Sequence, residues 1–120
     1  MSPLGDDVKT ARQAAERMRA EWLWSVASGM VTPLEAVHAA VAPDGAPLRN
    51  MSLRTLLGAV YSHRQVEVVI AQLGRTAVCN LDGRYVPVRW LFDGRGRDRL
   101  AILEGLLGGG VLSTGPYRLP

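Results

Sequence analysis

Cysteine is almost absent: Cys79 stands alone, so no intramolecular disulfide can close, and His38 and His63 offer no Cys/His spacing that would complete a zinc site. Lysine is equally scarce. Lys9 is the single one among 14 basic residues, the rest being arginines, and 11 acids bring the net charge to only +3. So small an excess permits a nucleic-acid partner without demanding one. No apolar run approaches the length that spans a bilayer, and Met1-Ser2-Pro3-Leu4-Gly5-Asp6-Asp7 lacks the basic-then-apolar layout of a signal peptide. These absences give the expectation of a cytoplasmic protein that makes no use of a membrane. Catalytic signatures are missing too: neither histidine lies in a nucleophile elbow, phosphate loop or metal-binding repeat, and most of the scattered carboxylates have arginine neighbours that explain them as solvated ion pairs. The expectation is a non-enzymatic protein with no cofactor.

The 120 residues suffice for one domain with a modest core. The arginines are of the right kind for nucleic acid, because a guanidinium gives planar, multi-donor contacts to phosphates and guanine edges. GC-rich coding produces the same enrichment, together with the abundant Ala, Gly and Val.

The apolar pattern is helical. After a flexible lead-in at residues 1–6, Val8, Ala11, Ala15, Met18, Trp22 and Val26 recur at three- and four-residue spacing, which predicts a long helix over about 7–28 that Ser28-Gly29 ends. Arg12 with Glu16 and Arg17 with Glu21 are i,i+4 pairs for its solvated side. Thr32, Pro33 and Glu35 have the spacing of a capping box for a second, short helix with Leu34, Val37, Ala40 and Val41 inward; Ala42-Pro43-Asp44-Gly45-Ala46-Pro47 stops it as a turn or extended loop. Ser52 caps a third helix through Val60, and a fourth follows Tyr61-Ser62-His63 and runs to Leu73, with Gly74 as its stop. Ala77–Leu81 and Arg84–Val88 flank Asp82-Gly83, a hairpin signal, with Pro87 confining the second arm to an edge. A fifth helix fills 98–107, and 109–120 is a tail. The expected fold is mainly α: a long N-terminal helix, then a compact helical module over 30–108 with a short β-hairpin at about 76–88.

Two places in this pattern suit an anion. Where the turn feeds helix four, Ser62, His63, Arg64 and Gln65 surround free amides at a positive helix end, and Arg64 adds a mobile cation; the plainer reading is a helical hairpin in which Ser62 or His63 only caps. In Asp93-Gly94-Arg95-Gly96-Arg97-Asp98-Arg99, glycines let the backbone approach a phosphate and three arginines neutralise it, unless the stretch is only a solvated loop. Its centre, Arg95-Gly96-Arg97, resembles the minor-groove-inserting core of an AT-hook, with Asp93 and Asp98 nearby where AT-hooks carry prolines. Arg49 and Arg54 would support these contacts. Trp22, Trp24 and Trp90 could stack on unpaired bases, but no basic-aromatic alternation surrounds them and they read as core.

The order of a long amino-terminal helix, the pair Ser52–Val60 and Arg64–Leu73, and the entry Gly94–Glu104 resembles the actinobacterial integration host factor family. That resemblance implies a helix-two-turns-helix module, similar to those of ribosomal and DNA-repair proteins, gripping duplex DNA by its backbone and minor groove with weak sequence specificity, in the nucleoid or as an accessory to an integrase. The family turn resembles Val-Gly-Lys, so here the contact falls to Ser62, His63 and Arg64. The stretch from Thr76 to Val88 is longer than the family's link, which leaves a rival: a winged helix-turn-helix with Arg64, Gln65, Glu67, Val68 and Gln72 in the major groove. The pattern also admits a protein-interaction module using helix one and the apolar hairpin, and an RNA-binding version of the fold.

Overall fold

The computed structural model describes residues 3–93 and 96–108, with side-chain surroundings for 8–93 and 98–108. It is mainly helical: α1 (Pro3–Ala27), α2 (Pro33–Val41), a 3-10 helix (Pro43–Leu48), α3 (Leu53–Gly58), α4 (His63–Thr76), a second 3-10 helix (Val88–Leu91) and α5 (Gly96–Gly108).

The long first helix begins four residues earlier than its apolar spacing predicts and ends at Ala27. Gly29 takes φ 81°, its N–H donates to Val26 O, and Met30 N–H reaches back to Ser25 O at 2.9 Å, so the last carbonyls are satisfied in a Schellman turn. The stripe is buried only toward its end. Val26 is fully buried, Met18 and Trp22 are half-covered, and Val8 and Ala11 are exposed. Arg12 and Arg17 make no ion pair with Glu16 and Glu21. Trp24, read from sequence as core, is 66% exposed because it falls off the stripe.

The predicted capping box of α2 forms, Glu35 N–H donating to Thr32 Oγ1 at 3.1 Å and Thr32 N–H to Glu35 Oε2 at 3.3 Å. Val37 and Ala40 go into the core as expected, whereas Val41 is exposed and Ala36 takes the buried place. The proline-rich stretch after it winds into the 3-10 helix rather than an extended loop. Gly45 permits this, since a Cβ there would lie 1.8 Å from Ala39 O.

The β-hairpin does not form. Asp82-Gly83 does turn the chain, with Gly83 at φ 67° and Arg84 N–H donating to Leu81 O, but its two arms part company. Residues 77–81 fold onto the end of α4, where Cys79 N–H donates to Gly74 O at 2.7 Å. Gly74 therefore does not end α4, which continues to Thr76; a Cβ at Gly74 would meet Cys79 O at 2.6 Å. The other arm lies against the residues before α3: Leu53 N–H donates to Val86 O and Val88 N–H to Met51 O, around a single antiparallel bridge between Ser52 and Pro87. Val86 and Val88 thereby reach the core, and the pairing stays a single bridge because α3 starts at Leu53 and the second 3-10 helix at Val88. Among the described residues there is no strand.

The core gathers Val26, Val37, Leu48, Leu53, Leu56, Leu57, Val69, Ile70, Leu73, Leu91 and Leu103. α5 closes it by packing on α4 and the second 3-10 helix, while α1 rests on the first 3-10 helix and α2. His38 on α2 and Glu104 on α5 meet at 3.1 Å across the surface.

Candidate nucleic-acid interface

α3 and α4 pack against each other across residues 59–62. Ser62 is the N-cap of α4: its Oγ accepts from Gln65 N–H at 3.2 Å, and Gln65 Oε1 accepts from Ser62 N–H at 3.0 Å. Both side chains are spent on the cap. Gln65 is only 7% exposed, and its Nε2 is buried without a hydrogen-bond partner. The unpaired donor carries a desolvation cost of about 1–3 kcal/mol. His63 and Arg64 are exposed, and their amides occupy the first two helical positions, which have no partner inside a helix. Arg64 makes no hydrogen bond or ion pair among the described residues.

The other described arginines proposed from sequence are occupied. Arg49 caps the end of α2, donating to Ala40 O at 2.7 Å and Ala42 O at 3.0 Å. Arg54 donates to Glu67 Oε2 at 2.9 Å, to Leu81 O at 3.2 Å and to Arg84 O, which ties α3, α4 and the 81–84 turn together. Arg99 lies over the Trp90 ring at 4.2 Å and donates to Trp90 O at 3.0 Å. A guanidinium satisfies several carbonyls at once, so a small fold with a single lysine uses its arginines as staples. Gly94, Arg95 and the surroundings of Gly96 and Arg97 lie outside the described residues.

The winged geometry loses its reading face. The wing is absent among the described residues, Gln65 is buried and Glu67 is held by Arg54, which leaves Arg64, Val68 and the half-buried Gln72 of its proposed contacts.

Arg75 is the residue that sequence reading passed over. It is exposed in the last turn of α4, and its guanidinium has no partner among the described residues. Its signal was its spacing of eleven from Arg64, which returns a helix to nearly the same face after about three turns. Between the two, Val68 and Ala71 are also exposed.

Among the described residues, no three His, Cys, Asp or Glu side chains cluster as a metal site, and no helix is long and apolar enough to cross a membrane. Comparison with known proteins finds no matching family model, no matching curated protein and no matching solved structure.

Proposed function

We propose that this protein is a non-enzymatic, duplex-DNA-binding architectural protein of weak sequence specificity, of the kind its resemblance to the integration host factor family implies. It would act in the cytoplasm, on the nucleoid or beside an integrase. The observation that carries the reading is the amino end of α4, where the first two helical amides and an exposed Arg64 without a partner among the described residues lie together at the positive end of a 14-residue helix. Phosphate is the ligand such an end suits, and phosphates are common to every sequence, which accounts for weak specificity. Gly94–Arg97, on sequence grounds alone, supplies the second contact in the minor groove.

The test is fluorescence anisotropy of a labelled duplex of about 25 base pairs over a range of salt. With Arg49, Arg54 and Arg99 engaged inside the fold, Arg64, Arg95 and Arg97 remain, and at about −0.9 per phosphate contact the log–log slope is expected near −3. A slope near zero would sink the reading.

The exposed apolar side chains Val8, Trp24 and Met30, the last two 66% and 69% exposed, favour a second reading, a module that docks a protein partner through α1 and the turn after it. Stoichiometric association with a partner and no binding of the duplex at low salt would decide for it.

A further inference from the structure

We infer that the whole outward face of α4, and not its amino end alone, is the DNA contact, and that it seats in the major groove with Arg64 and Arg75 on opposite phosphate backbones. This rests on the duplex-binding reading and adds to it a residue, a groove and a reason for weak specificity.

At about 100° per residue, Arg64, Val68, Ala71 and Arg75 fall within a stripe roughly 60° wide, and at about 1.5 Å per residue its two arginines are roughly 16 Å apart along the axis. All four are exposed, and neither arginine has a partner among the described residues. A helix about 10–12 Å across matches a major groove about 12 Å wide, and is too thick for a minor groove about 6 Å wide. Long guanidinium arms at both ends then reach outward to the two walls. The middle of the stripe is Val68 and Ala71, methyl groups without a donor or acceptor. Facing base edges, they can touch a thymine methyl but cannot form the bidentate hydrogen bonds that distinguish guanine or adenine. Such a face enters the groove and reads almost nothing.

Two acids lie near the stripe, and they act in opposite directions. Glu67 borders it, and its carboxylate is held by Arg54 at 2.9 Å. Asp82 is exposed on the rim of a cleft of about 400 Å³ that Arg75, Ala71 and Val78 also line, and it makes no ion pair with Arg75. Among the described residues Asp82 has no ion-pair partner, so it repels phosphate beside Arg75 and sets that contact as the weaker of the two.

Two measurements on the full chain test the inference. In the duplex titration, Arg75→Ala is expected to flatten the salt slope by about 0.9, as Arg64→Ala does, and to weaken binding roughly fivefold at about 0.15 M salt, the two effects adding in the double variant. Both side chains are solvated, so circular dichroism should show the fold intact. Dimethyl sulfate footprinting reads the groove, since it methylates guanine N7 in the major groove and adenine N3 in the minor. Protection of guanine N7 that is lost in Arg64→Ala/Arg75→Ala supports the inference. Duplex binding with N3 protection only, or with an Arg75→Ala slope equal to the parent's, overturns it and leaves the broader reading standing. Absence of duplex binding overturns both.

Discussion

Arg54 on α3 and Glu67 on α4 meet at 2.9 Å, and the remaining guanidinium nitrogens donate to the carbonyls of Leu81 and Arg84. One side chain therefore fastens the turn that replaces the expected hairpin onto both helices of the candidate interface.

Arg54→Ala should accordingly behave as a stability variant. It removes charge-assisted bonds at a site where both partners are partly solvated, so a loss of about 2 kcal/mol is expected, and with it a drop in Tm of roughly 5–15 °C. Measured well below its Tm, the variant should keep the parent's salt slope for duplex binding. A flattened slope with unchanged Tm would return Arg54 to the DNA surface.

Two glycines on neighbouring helices should respond to alanine in opposite directions. A Cβ at Gly74 would lie 2.6 Å from Cys79 O, a backbone atom that cannot step aside cheaply, whereas nothing stands within 4 Å of one at Gly58. Gly74→Ala is expected to cost about 2 kcal/mol and to loosen the 77–81 segment. Gly58→Ala should stabilise by about 0.5–1 kcal/mol through the reduced freedom of the unfolded chain. Thermal unfolding of the pair checks both signs, and equal effects would show that the close approach at Gly74 does not matter.

What was legible in the sequence divides along the same line. Periodicity found the long helix and the helical pair, and the spacing of Thr32 and Glu35 found a capping box, because these are local arrangements that a few neighbouring residues determine. Gly74 misled because a helix stop and a close backbone approach both select glycine, and only the position of Cys79 separates them. Asp82-Gly83 correctly marked a turn, but where its arms go depends on Met51 and Leu53, far earlier in the chain. The same holds at the candidate site. Arg49, Arg54, Arg64 and Arg99 are indistinguishable as letters, and three of them are separated from Arg64 by carbonyls and a ring that folding brings to them.

Val78 is a β-branched residue at φ 55°, a conformation that costs a branched side chain about 1–3 kcal/mol, and it is 91% exposed, so no packing offsets the strain. Val78→Gly should relieve it. After allowance for the greater freedom of glycine in the unfolded chain, a net stabilisation of about 1 kcal/mol is expected in urea unfolding. A destabilised variant would mean that Val78 makes a contact in solution that holds it in place.

Ser62 and Arg64 sit two residues apart at the same helix end, and they separate the structural from the ligand-binding explanation of that end. Ser62 Oγ is engaged with Gln65 N–H, so Ser62→Ala removes a cap and should cost about 1 kcal/mol, while the free amides, the helix dipole and Arg64 remain. Its salt slope for duplex binding should match the parent's. Arg64→Ala removes no contact within the described fold, so its stability should shift by less than about 0.5 kcal/mol, while its salt slope should flatten by about 0.9. A flattened slope for Ser62→Ala would make the hydroxyl a phosphate ligand, and a lowered stability for Arg64→Ala would give that guanidinium a structural contact.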